Sequence, residues 1–146
     1  MTVRVQAAAF DPGAELSAFA AERADLGAVV TFTGIVRDLT GDLRLLRIEH
    51  YPGMTETALA GIEAEAVARW SLAACLIVHR FGDLAPGAPI MMVATAAAHR
   101  AGAFAAAEFL MDYLKSRAPF WKQEVAATGT TWVAARAEDE AALSRW

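Results

Sequence analysis

The sequence predicts an α+β fold: a single domain with a mixed, largely antiparallel sheet and packed helices. Three observations carry that prediction. Short β-branched or alternating runs, bounded by glycine and proline, recur along the chain. Three stretches place apolar residues at helical spacing. Strands and helices interleave without the regular spacing of a doubly wound fold. At 146 residues, with no low-complexity linker and no internal repeat, positions 1–146 read as one domain.

Taken in order, Thr2 to Ala8 alternates as a short strand and Pro12-Gly13 punctuates it. Ala14 to Arg23 carries Leu16, Phe19 and Ala20 at helical spacing. Gly27 to Asp38 is β-branched and glycine-bounded, a central strand, and Asp38 to Asp42 reads as a mobile loop. Leu43 to His50 is a strand broken by Tyr51-Pro-Gly53. Met54 to Trp70, with Leu59, Ile62, Ala66 and Trp70 on one face, is an amphipathic helix for which Thr55 is the expected cap. Cys75 to Arg80 and Pro89 to Ala96 read as strands joined by a turn over Gly82 to Gly87. A long helix from about His99 to Ala118 stops at Pro119. Trp121 to Ala126 and Thr131 to Ala135 read as a hairpin around Thr128-Gly129, and Glu138 to Arg145 as a short terminal helix.

Composition excludes several classes. The apolar fraction is 56%, yet much of it is alanine, and no run reaches the roughly 20 apolar residues a membrane-spanning helix needs. Nothing at Met1 to Gln6 resembles a secretory leader, so a cytoplasmic protein is expected. A net charge of -4 argues against general nucleic-acid binding. The lone Cys75 lies in an apolar run with no metal-ligand spacing around it and reads as a buried strand residue. The three histidines and the carboxylates show no HExxH-like spacing, so no metal site is inferred. Phosphate-loop, dinucleotide and serine-hydrolase motifs are absent.

The cations are distributed unevenly. Eleven are arginines, and the two lysines, Lys115 and Lys122, stand seven residues apart. A guanidinium stays charged, whereas an ammonium in a partly dry pocket can become a base or a nucleophile. Chance in an arginine-rich composition accounts for the pattern equally well. On the long helix, Lys115 projects within about 20° of Phe104 and near Met111. Its stem then lies along apolar surface, either lowering the ammonium's proton affinity or leaving the charge in water. His99 and Arg100 open the same helix, where free N–H groups favour anions; a surface pair that merely starts a helix is the other reading. Arg37 ends the glycine-bounded strand and is a third candidate cation. His50 and His79 read as packed, hydrogen-bonded residues.

Phe32-Thr-Gly-Ile-Val-Arg37, Glu49-His-Tyr-Pro-Gly-Met54, Val78-His-Arg-Phe-Gly82, Ala98-His-Arg100, Met111-Asp-Tyr-Leu-Lys115 and Ala118-Pro-Phe-Trp-Lys-Gln-Glu124 together resemble the large, catalytic subunit of molybdopterin synthase. The resemblance runs in order from about Gly27 to Trp146, and the combination of HYPGM, AHR, DYLK and PFWK makes it specific. It implies an α/β hammerhead type of fold and a sulfurtransferase without a cofactor of its own. Sulfur would pass from the C-terminal Gly-Gly thiocarboxylate of a small ubiquitin-like subunit to cyclic pyranopterin monophosphate, forming the dithiolene of molybdopterin. The family assembles as a homodimer of large subunits within a heterotetramer.

The resemblance also assigns roles. Lys115 would lie against the tail's terminal carbonyl, and Lys122 would contact the substrate or assist proton transfer from the lip of the pocket. His99 and Arg100, helped by Arg37, would hold phosphate, and either copy of the dimer could supply the His-Arg pair. Gln123 and Glu124 complete the substrate-binding set, with Glu124 orienting Lys122. Several relatives carry lysine where this chain has Ile35, so that contact is missing. Two other classes stay open on the sequence. A docking module for a ubiquitin-like tail would need anion contacts but not paired lysines. A Schiff-base lyase would be trapped by borohydride with its carbonyl substrate.

Overall fold

A computed structural model describes residues 1–134 and 136–146. Its strands form two four-stranded sheets rather than one. The first has the order β1 (Thr2–Gln6), β4 (Ala74–Arg80), β6 (Pro89–Ala97), β2 (Ala28–Ile35). Only β1 and β4 run parallel in it. The second, wholly antiparallel, has the order β5 (Gly82–Leu84), β3 (Leu43–His50), β7 (Phe120–Ala126), β8 (Gly129–Trp132). The α+β class therefore holds, and β5 is an added strand. Its glycine and the following Pro86-Gly87 read as a turn in sequence, yet three residues suffice to pair with Leu46 to Ile48.

Helices α2 (Met54–Trp70) and α3 (Arg100–Ser116) cover one face of the first sheet. Leu59, Ile62, Ala66, Phe109 and Leu110 pack there with Ile77, Val93 and Ala97 of the strands. The opposite face buries Leu76, Val78, Met92 and Ala94 with Phe10 and Phe19, the latter on α1 (Pro12–Ala20). With both faces covered, β4 reads as an unbroken apolar run instead of an alternation. A smaller core of Val36, Leu46, Ile48 and Leu84 lies at the second sheet. Ile90 and Phe120 pack against both cores and so mark the seam between the sheets.

The helix ends differ from expectation for local reasons. α1 starts at Pro12, because proline suits a first helical position and the Asp11 carboxylate accepts the Ala14 N–H at 3.0 Å. α2 is capped at Gly53, whose φ of 83° turns the chain, while the Glu56 carboxylate accepts the Gly53 N–H at 2.6 Å. Thr55, the expected cap, is instead buried in the first turn, where its hydroxyl donates to the Tyr51 carbonyl at 2.8 Å. α3 runs from Arg100 to Ser116, with His99 as its N-cap residue. Its buried stripe is Ala103, Ala106, Phe109, Leu110 and Leu114, and Phe104 is 62% exposed, so the flank that Phe104 marks faces out.

Two features fix α3 in place. Buried Thr95 donates its hydroxyl to the Ala103 carbonyl at 2.7 Å. At the other end Arg145 pairs with Glu108 and Asp112, both at 2.6 Å, and the Trp146 indole N–H reaches Asp112 at 2.6 Å. The expected terminal helix is α4 (Ala137–Ala142) followed by a 3-10 turn, Leu143–Arg145. The hairpin forms as expected, with its second strand at Gly129–Trp132; Ala135, expected to end it, lies outside the described residues. Among the described residues no helix is long and apolar enough to cross a membrane.

Candidate active site

A cavity of about 670 Å³ opens where the two sheets meet the C-terminal end of α3. Phe32 and Gly34 to Val36 form one wall, Met91 and Ile90 of β6 another, and Met111 and Leu114 of α3 a third. β7 closes it. Because side chains alternate along a strand, Phe120, Lys122 and Glu124 share one face of β7, and Lys122 and Glu124 both line the cavity. Arg37, Lys115 and Arg136 complete the lining, so four cations and one carboxylate converge on an otherwise largely apolar space. Among the described residues no group of three His, Cys, Asp or Glu side chains is arranged to hold a metal.

The two lysines sit at different depths. Lys115, in the last turn of α3, is exposed at the mouth, where the helix's negative end favours a cation. Lys122 is half-buried, and its ammonium is pushed down to about 8, first by burial and then by the charge of Lys115, with Asp139 acting in the opposite direction. Roughly a tenth of such amines are neutral at pH 7. His79, on β4, is buried in the wall. Its Nδ1 lies 2.8 Å from the Arg80 carbonyl and its ring stacks on Phe120 with centroids 3.7 Å apart at 14°. Burial, reinforced by Lys122 and Lys115, drives its pKa down to about 3 against the opposing Arg80 hydrogen bond.

Of the residues singled out in the sequence, Arg37, Lys115, Lys122 and Glu124 come together here. Of the two readings left open for Lys115, the exposed side chain beside Met111 and Leu114 fits the stem along apolar surface with the charge in water, while Lys122, which the resemblance put at the lip, lies deeper. The flank of α3 bearing Phe104 and Lys115 is exposed, whereas β7 carries Lys122 into the seam. Gln123 is not on this wall, since it points to the other face of β7, in register with Arg47 and Trp132. His99 and Arg100 are also absent from it. They start α3 and Lys115 ends it, a separation of about 22 Å along the helix. Ile35 does line the cavity, contributing an apolar side chain there. Arg136 and His79 were not legible as site residues. Arg136 precedes a short helix with no motif around it, and His79 ends a strand as structural histidines often do.

Residues 5–117 match the MoaE protein family. A curated relative, the molybdopterin synthase catalytic subunit of Cereibacter sphaeroides, is 66% identical over 146 residues, covering 100% of both chains. Among solved structures, the molybdopterin biosynthesis MoaE protein from Burkholderia ambifaria superposes with a TM-score of 0.85 at 52% identity, over 99% of this chain and 97% of that one. The complex of subunits 1 and 2 of molybdopterin-converting factor from Helicobacter pylori has the same fold, with a TM-score of 0.79 at 21% identity over 92% and 91% of the two chains. By a family match spanning most of its length and by relatives that align end to end, the chain belongs to the MoaE family of molybdopterin synthase catalytic subunits.

Proposed function

We propose that the chain is a sulfurtransferase, taking sulfur from the C-terminal thiocarboxylate of a small ubiquitin-like subunit and delivering it to cyclic pyranopterin monophosphate. One observation carries the reading: in a chain of net charge -4, Arg37, Lys115, Lys122 and Arg136 converge on a single largely apolar cavity. An anionic tail and a phosphorylated substrate repel one another in one site, and clustered cations offset that repulsion. Lys115 at the mouth suits the tail's terminal carbonyl, where its ammonium stabilises the charge that develops as the carbon–sulfur bond breaks. Lys122 is the deeper amine, and its neutral fraction suits it to accept a proton within the cavity. Glu124 lies two residues away on the same face of β7 and lines the cavity with it.

His99 and Arg100 enter this scheme only from a second copy of the chain, because about 22 Å of helix separates them from Lys115 within one copy. The reading therefore takes a homodimer within a heterotetramer, with the His-Arg pair of one copy holding substrate phosphate in the cavity of the other. β2 is an edge strand that leaves Phe32 and Ile35 exposed, as a surface covered on assembly would. The Helicobacter pylori neighbour, itself a complex of two unlike subunits, supports a small-subunit partner. Residues 1–146 act as one domain, in the cytoplasm.

The deciding experiment mixes the purified chain with a thiocarboxylated small subunit and cyclic pyranopterin monophosphate. Dithiolene product is expected in proportion to the thiocarboxylate supplied. No product, together with a borohydride-trapped adduct on a lysine, would replace this reading with Schiff-base chemistry, which the depressed Lys122 amine also suits.

A further inference from the structure

We infer that His79 is a positioning residue for Lys122, its Nε2 lone pair being the acceptor to which a change of Lys122 rotamer brings the amine within the cavity. Three features of the structure fix that nitrogen. The Arg80 carbonyl can only accept, so the 2.8 Å contact puts the ring proton on Nδ1 and leaves Nε2 with a lone pair. The ring cannot swing away, because it lies flat on Phe120 at 3.7 Å and the residue is only 3% exposed. The cavity is the open space this wall borders, and Lys122 lines it too.

Reach is set by the strand. Phe120 and Lys122 share a face of β7 two residues apart, a separation of about 7 Å, which the flexible four-carbon stem of a lysine spans by rotamer choice. Among the described residues the Lys122 side chain forms no ion pair or hydrogen bond, and burial weakens its hold on its proton, so its donors are open to an acceptor on the cavity wall. Around it lie Lys115 from α3, Arg37 beyond β2, Arg136, Asp139 from α4, Glu124 on its own strand and His50 of β3 near Phe120. Three of these are cations and two are carboxylates. An imidazolium would add a further cation, whereas a neutral ring, kept so by burial and by the lysines themselves, holds the amine without raising the local charge.

The catalytic consequence rests on the sulfur-transfer reading, but the interaction is testable without it. The chain has only two lysines, so 15N labelling at Nζ yields two side-chain signals to titrate. His79→Asn keeps a donor for the Arg80 carbonyl and removes the acceptor; His79→Gln returns an oxygen to the Nε2 position. A hydrogen bond to the ammonium favours its charged form, so the Lys122 midpoint should fall by about one unit in His79→Asn and recover in His79→Gln, with Lys115 unmoved. In the wild-type protein the His79 Nε2 resonance should shift as Lys122 titrates, a readout that needs no folded variant. An Nε2 signal flat between pH 6 and 10, or a Lys122 midpoint unchanged by His79→Asn, overturns the inference. In the sulfur-transfer assay kcat should drop about tenfold with KM little changed. Loss of product in every variant and in wild type indicts the functional reading instead.

Discussion

Below about pH 8 the Lys122 ammonium is charged in the folded and unfolded states alike, and the folded state alone bears its desolvation. Between about 8 and the ordinary value of 10.5 the unfolded chain holds a proton that the folded one does not, so stability rises with pH through that window. The full depression corresponds to an upper limit on the order of 3 kcal/mol. Lys122→Met should therefore raise stability at pH 7 by about 1–3 kcal/mol in chemical denaturation and flatten the rise above pH 8, while sulfur transfer is lost. A variant that is both less stable and inactive would contradict the desolvation argument. Lys115 tests a different property. Lys115→Arg keeps the charge but replaces a compact ammonium with a planar fork, and most turnover should disappear while the fold and small-subunit binding persist. Near-normal product formation by that variant would remove Lys115 from the chemistry.

At the scale of elements, the cavity is held by how tightly β2, β6 and α3 approach one another. A Cβ on Gly27 would stand 1.9 Å from the Ala98 carbonyl oxygen, and the Gly27 N–H already bonds the Ala97 carbonyl at 3.1 Å. Both partners are backbone and cannot rotate aside. Gly27→Ala should cost about 2–4 kcal/mol and lower the thermal midpoint by several degrees, as forced overpacking does. Since Gly27 opens the strand that leads to Ile35 and Arg37, the variant should also weaken substrate binding at temperatures where it stays folded. A thermal midpoint within a degree of wild type would show that β2 shifts freely. Local sequence made most of these elements legible: α2 matches the expected Met54–Trp70 at both ends. Its cap was not legible, because a glycine at positive φ ended the preceding turn and moved the role from Thr55 to Gly53.

For the whole molecule, the division of cations between the two ends of α3 makes a quantitative demand on assembly. If each cavity uses Lys115 of one copy and Arg100 of the other, inactive Arg100→Ala and inactive Lys115→Arg chains complement on mixing. Half of the dimers formed from an equal mixture contain both variants, and each has one intact cavity, so about a quarter of wild-type activity should return. No recovery after demonstrated subunit exchange would place Arg100 elsewhere. Sedimentation of the chain alone should show a dimer at micromolar concentration, and a monomer would remove the route by which His99 and Arg100 are proposed to reach the cavity.

The sequence by itself determined the α+β class, the principal helices and strands and the family, and it singled out Arg37, Lys115, Lys122 and Glu124, which line one cavity. The class and the elements follow from local periodicity and turn residues, which are written in neighbouring positions, and the family and its set of site residues from the resemblance that the short motifs carry. Tertiary structure decided the rest: the split into two sheets, the short β5, the depth of Lys122 against the exposure of Lys115, the outward turn of Gln123, and the entry of His79 and Arg136. Burial and charge proximity depend on residues distant in the chain. Lys122 loses affinity for its proton because β7 is folded into a seam beside the last turn of α3, a relation that only the packed chain contains.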